Sequence, residues 1–132
     1  MIAIEGGTLK NSGDAAAAPG TVIEINHLFY NTPARSKFLK SAATELSRII
    51  DAVSHQAMAR PDIRFRLAHN KKTVLDLPRS PGIRDRAFQI HGSELSENLM
   101  EISGGRDSVR VYGLIARPTY TRADRTLSLI HI

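Results

Sequence analysis

The sequence predicts an α+β fold, and three stretches carry that reading. From Thr21 to Asn26, Ile23 and Ile25 share one face while Glu24 and Asn26 take the other, the two-residue period of a strand with one buried face. From Ser41 to Ala59 the apolar residues Leu46, Ile49, Ile50, Val53 and Ala57 recur at helical spacing instead. Ile63, Phe65 and Leu67 then return to alternation against Arg64, Arg66 and Ala68, and Thr73 to Leu77 follows as a second strand beyond a polar break. At 132 residues the chain is long enough for a domain with a real core.

Ile2 to Glu5 alternates and reads as an edge strand, broken by Gly6-Gly7. Thr8 to Gly20 is rich in Gly, Ala, Ser, Asn and Asp and reads as a loop, with at most a helical turn at Ala15 to Ala18 before Pro19-Gly20. Two strands joined by a polar loop suggest a hairpin or meander at the edge of a sheet whose other members lie outside this chain. After the Thr21 to Asn26 strand, Leu28-Phe29-Tyr30 forms an apolar knot that suits packing between domains, and Asn31-Thr32-Pro33 turns the chain. Pro33 biases Thr32 away from helical angles and is itself well placed as a first helical residue, so a helix is expected from Pro33 or Ala34.

In the long helix, Thr44 reads as the N-cap, Glu45 lies near the positive end of the dipole, and Pro61 stops the run after Arg60. His69-Asn70-Lys71-Lys72 is a hairpin turn. Tight primed turns favour Asn-Gly, and Lys71 stands in the glycine's place, so a wider turn is expected. Ser80-Pro81 reads as a cap and first helical residue, leading a short helix with Ile83, Ala87 and Ile90 inward and its end at Gly92. Leu95, Leu99 and Ile102 have mixed periodicity, which leaves helix and strand both open. Gly104-Gly105 reads as a turn, and Ser108 to Ala116 as a strand with Val109, Val111 and Gly113 on one face, ended by Arg117-Pro118.

Composition narrows the chemistry. There is no cysteine, so disulfides and thiolate metal sites are excluded. No run approaches the roughly 18 apolar residues of a membrane span, and MIAIEGG lacks the pattern of a signal peptide. No membrane partner and a cytoplasmic location are the simplest expectations. His27, His55, His69 and His91 have no metal-ligand spacing, and no catalytic residue is assigned. The net charge of +5 favours polyanions. Arg60, Arg64, Arg66, Lys71, Lys72 and Arg79 gather around the hairpin, where Arg64 and Arg66 on one strand face would make a positive stripe beside the turn lysines. A solvated sheet face is the plain alternative. Arg117, Arg122 and Arg125 form a second basic patch.

Gly20 to Leu39, GTVIEINHLFYNTPARSKFL, resembles the signature of the MutL family of DNA mismatch repair proteins. That signature runs Gly-Thr-x-Val-x-Val, Asp-Leu-Phe-Tyr-Asn-Thr-Pro-Ala-Arg and Lys-Phe-Leu. Ile23 and Ile25 replace its valines and His27 its Asp, while Leu28 to Arg35 matches without a gap. A weaker likeness extends from about Ile2 to Thr126. The resemblance implies that residues 1–35 are edge strands of a GHKL-type ATPase sheet with the junction that follows. Residues 36–126 would be an incomplete ribosomal-protein-S-five domain-two-like α/β two-layer sandwich. The fold would thus be truncated at both ends.

The resemblance also implies a longer parent that couples ATP binding and hydrolysis to homodimerisation or heterodimerisation, clamps DNA and recruits other mismatch repair proteins. ATP and magnesium would be its cofactors, and its place would be the nucleoid in a bacterium or the nucleus in a eukaryote. The family's acidic base, magnesium-holding Asn, adenine-binding Asp loop and phosphate lid have no counterpart here, so the chain alone is expected to bind neither cofactor. Gly20 and Thr21 are what remains of the nucleotide site, with Thr21 helping to hold the adenine and an ordered water. Arg64, Arg66, Lys71, Lys72, Arg117, Arg122 and Arg125 are the DNA-contacting candidates. The alternatives are a free-standing nucleic-acid-binding module of ribosomal-protein-like fold without ATPase activity, and a structural domain with no ligand.

Leu127-Ser128-Leu129-Ile130-His131-Ile132 leaves the family pattern and reads as a non-native scar. Deleting residues 127–132 is therefore expected to leave the thermal midpoint unchanged, whereas a clear drop would identify a packed terminal strand.

Overall fold

The computed structural model describes residues 1–120. Along the chain the elements are β1 (Ile2–Glu5), β2 (Thr8–Ser12), α1 (Pro33–Ser36), α2 (Ala42–Ala59), β3 (Phe65–His69), β4 (Lys72–Leu77), α3 (Ile83–Glu97), β5 (Leu99–Arg106) and β6 (Val109–Ala116). The strands pair as three antiparallel ribbons, β1 with β2, β3 with β4 and β5 with β6, which makes the fold α+β. The chain divides into two compact units, Met1–Ser41 and the residues from Ala42 onward.

In the first unit, Gly6 and Gly7 take φ of 57° and 87° and join Glu5 to Thr8 in a two-residue turn. That turn folds Thr8–Ser12 back on β1, so a strand stands where composition reads as loop. Its side chains are all exposed, so backbone pairing maintains it, with one exposed ion pair across the ribbon between Lys10 and Glu5 at 3.7 Å. Residues 15–18 contain no helical turn.

The predicted strand at Thr21 to Asn26 does not pair with any described residue, and Val22, Ile23 and Ile25 are 91%, 80% and 73% exposed. Alternation supplies a face but not a neighbour, and an extended segment becomes a sheet strand only where another strand takes up its backbone hydrogen bonds. The chain then winds tightly: the Tyr30 amide donates to the His27 carbonyl at 3.0 Å and the Thr32 amide to that of Phe29 at 3.0 Å. His27 and Phe29 both take positive φ. Histidine, like Asn and Asp, is enriched in that region, which suits it to this position. The Tyr30 hydroxyl lies over the β1–β2 turn, where a Cβ on Gly6 would come within 2.8 Å of it. Pro33 opens the one-turn helix α1, as its fixed φ favours.

In the second unit α2 begins at Ala42, so Thr44 lies inside its first turn and is not the cap. The helix ends at Ala59, just short of Pro61. Ser54 and Ala57 are its buried residues, with Leu46, Ile50, Val53 and Met58 half-buried around them. The β3–β4 turn is tight, not wide: His69 pairs with Lys72, and Asn70 and Lys71 take φ of 49° and 64°. Lys71 accepts the left-handed conformation that glycine takes more easily, at a cost of about 1 kcal/mol. Further along, Val74 is an extra residue between the Ala68–Thr73 and Leu67–Leu75 pairs. This bulge puts Phe65, Leu67, Leu75 and Leu77 on the inner face, and leaves Arg66 opposite Asp76 on the outer one.

Helix α3 starts at Ile83 with Gly82 as its N-cap, so Ser80-Pro81 precedes the helix. The Ser80 amide instead donates to the Pro61 carbonyl at 2.9 Å. Ala87 is buried, and Ile83 and Ile90 are half-buried on the same side. Gly92 (φ 81°, ψ −175°) breaks the helix where the sequence ends it, but a second helical segment follows and carries Leu95. Helix α3 packs against α2, β4, β5 and β6. Its Ala87 and Leu95 join Leu99 in the core, with Met58, Leu114, Ala116 and Tyr120 packed around them.

Strand β5 runs through Gly104-Gly105 and turns at Asp107-Ser108 instead. The two strands are close at this point: a Cβ on Gly105 would lie 2.8 Å from the Val109 carbonyl oxygen. Glycine here serves cross-strand approach, not a turn. Val109 and Val111 remain exposed.

Arg86, on α3, is completely buried. Its Nη2 donates to the carbonyls of Pro61 at 2.9 Å and Ile63 at 2.6 Å, and its Nη1 donates to Gln89 Oε1 at 2.9 Å. The guanidinium lies 6.0 Å from the centre of the Phe65 ring. Burial lowers its pKa from the ordinary value, with Asp62 opposing that shift, yet an arginine remains a cation throughout the physiological range.

Two substitutions check these assignments. Arg86→Ala should destabilise the chain by about 2–4 kcal/mol in chemical denaturation, because a buried side chain is removed, the Ile63 carbonyl and Gln89 lose the arginine's hydrogen bonds, and the Pro61 carbonyl keeps only Ser80. Lys71→Gly should stabilise it by about 1 kcal/mol, since glycine adopts positive φ without the Cβ clash.

Candidate nucleic-acid interface

The hairpin arginines project from the outer face that the Val74 bulge defines, and each has a partner. Arg64, just before β3, forks onto Asp76, with Nε to Oδ1 at 3.0 Å and Nη2 to Oδ2 at 2.7 Å. Arg66 directs Nε and Nη2 onto the Thr73 hydroxyl at 3.3 and 2.9 Å. The sequence places Arg64 and Arg66 in one positive stripe. The fold does put them on one side, but a carboxylate sits among them, so the stripe is less positive than its arginines alone. Asp76 and Thr73 are not legible as partners in the sequence, because their placement depends on the bulge and nothing in the local alternation announces one.

Lys71 and Lys72 lie exposed at the tip of the ribbon. Arg60 is paired to Asp62 at 2.7 and 2.9 Å, and Arg79 lies exposed beyond the end of β4. Arg117 stands elsewhere, at the base of the β5–β6 ribbon, where its amide donates to the Asn98 carbonyl at 2.8 Å. Arg122 and Arg125 lie outside the described residues, as does the 127–132 tail. A groove of about 460 Å³ runs beside the start of α3, but its lining includes Asp85 and Glu101, which disfavour a polyanion.

Gly20 and Thr21 are exposed. Together they offer one hydroxyl and backbone groups, which do not make a nucleotide site, and no group of three or more His, Asp or Glu among the described residues is placed to hold a metal ion. No described helix is long and apolar enough to cross a membrane.

The Arg64 fork lowers the Asp76 pKa, chiefly through its hydrogen bonds; desolvation opposes this, and the charges of Arg64 and Arg66 add to it. A carboxylate with a depressed folded-state pKa stabilises the fold above its unfolded value, about 3.9 for Asp, and that contribution is lost as pH falls through the lower folded value. Observed by NMR, the Asp76 carboxyl should titrate below the ordinary Asp range, and Arg64→Gln should move its midpoint upward.

No protein-family profile matches the chain. Individual relatives do. The DNA mismatch repair protein MutL of Limosilactobacillus fermentum is 40% identical over 132 residues, all of this chain and 20% of that protein. That of Desulforamulus reducens is 41% identical over 122 residues, covering 92% of the chain and 19% of the relative. That of Staphylococcus aureus is 38% identical over 124 residues, covering 94% and 18%. The chain thus spans about one fifth of the length of the curated relatives it matches. Identity at this level along nearly the whole chain means that the chain belongs to the MutL family.

Proposed function

We propose that this chain is the part of a MutL-type DNA mismatch repair protein that presents a basic β-ribbon to DNA. The observation that carries this reading is the outer face of β3–β4. Arg64, Arg66, Lys71 and Lys72 stand there on one exposed ribbon, in a chain related to proteins named for DNA mismatch repair. Cations on an exposed ribbon suit backbone phosphates, which fix position without reading sequence.

In the same reading residues 1–35 belong to a GHKL-type ATPase domain and residues 36–126 to a ribosomal-protein-S-five-like domain. ATP, magnesium, dimerisation and other repair proteins belong to the longer protein. Gly20 and Thr21 lie on the adenine side of its nucleotide site, completed by groups outside this chain. Exposed Ile23 and Ile25 support this, since they would be the buried face of a strand once a neighbour pairs with it.

Binding of the chain to a labelled duplex tests the DNA reading. The expected dissociation constant is roughly 10⁻⁴ to 10⁻⁶ M, independent of sequence and strongly weakened by salt. Arg66→Glu, or Lys71 and Lys72 together to Gln, should lower affinity and flatten the logarithmic salt slope by about 0.9 for each phosphate no longer neutralised. An unchanged slope in both would move the DNA surface to Arg117 and the residues beyond it.

A further inference from the structure

We propose that Asp76 is a built-in competitor for the DNA phosphate, holding Arg64 in a carboxylate fork that phosphate must displace. The inference rests on the reading of the β3–β4 face as a polyanion surface and deepens it. Arg64 and Arg66 stand on the same face but in different states. Arg66 donates to a neutral hydroxyl, Thr73 Oγ1, and keeps its full charge for an incoming anion. Arg64 has its Nε and Nη2 edge occupied by both oxygens of Asp76. That edge is the one a phosphate would use for two parallel hydrogen bonds.

The arrangement is exchangeable. The Arg64 side chain is 59% exposed and that of Asp76 36%, and exposed ion pairs contribute little to stability. A phosphate approaching Arg64 can therefore take the fork over without unfolding the ribbon. The exchange leaves the Asp76 carboxylate unpaired beside a polyanion, so it attracts back a cation from solution. Arg64 then contributes less than a full released counterion, and the salt slope of the natural chain undercounts its arginines. The same device limits non-specific retention, because a fixed negative charge stands where the duplex would lie.

The test is a double-mutant cycle on duplex DNA binding by the 132-residue chain, reading affinity and salt slope. Asp76→Asn should raise affinity by about three- to tenfold at low salt and steepen the slope by up to about 0.9, the value for one further phosphate neutralised. In an Arg64→Gln background the same Asp76 change should give a much smaller gain. Circular dichroism melting confirms that each variant is folded, and Asp76→Ser replaces Asp76→Asn in the cycle should the latter melt early. The proposal is overturned if Asp76→Asn leaves affinity and slope unchanged. It is equally overturned if the gain is as large without Arg64, because Asp76 would then act only as a distant repulsive charge. Arg66→Glu, measured alongside, separates the two ideas: weaker binding there with no Asp76 effect leaves the interface in place and removes only the competitor.

Discussion

The second unit depends on one buried cation. Arg86 sits on α3 and reaches back to the carbonyls of Pro61 and Ile63, the short link that leads from α2 into β3. Ser80, on the far side of β4, donates to the same Pro61 carbonyl. One peptide group thereby gathers the end of α2, the entry to β3 and the approach to α3. A buried guanidinium without a carboxylate is costly unless its protons are used. Here carbonyls and an amide take most of them, and the Phe65 ring covers the group. Among the described residues only its Nε is buried without a hydrogen-bond partner. With few large side chains fully buried, this polar clamp does much of the orienting that a larger apolar core would otherwise do.

The surface arginines obey a different rule. Arg60 with Asp62 and Arg64 with Asp76 have similar fork geometry, yet all four side chains face water. Water and salt screen such pairs, so they exchange readily and add little to the fold. Burial, not hydrogen-bond length, separates the arginine that organises the unit from those free to serve a ligand. The β-ribbon can therefore change partners on its outer face while its inner face, ending at buried Leu77, remains attached to the helices.

The first unit shows how far a local pattern reaches without long-range pairing. Tight turns need only their own residues, so the β1–β2 ribbon and the wound segment from His27 to Thr32 form as continuous local structure. A half-buried strand needs a second strand and a surface beneath it. Thr21 to Asn26 has the alternation but neither of those, and its isoleucines stay in solvent.

Much was therefore determined by the sequence alone. The period of α2 and the inward set of Ile83, Ala87 and Ile90 are local properties, as are the alternation of β3 and the start of α1 at Pro33. So is the family likeness, which rests on an ungapped run of residues. Tertiary structure decided what depends on partners distant in sequence. The Val74 bulge set Arg66 opposite Asp76 and brought Asp76 to Arg64. The cross-strand approach at Gly105 turned an apparent loop into strand. The fold also made Arg86, one arginine among many in a basic chain, into the buried centre of a unit. A side chain's charge is written in its codon, but its solvent and its partners are set only when the chain has closed around it.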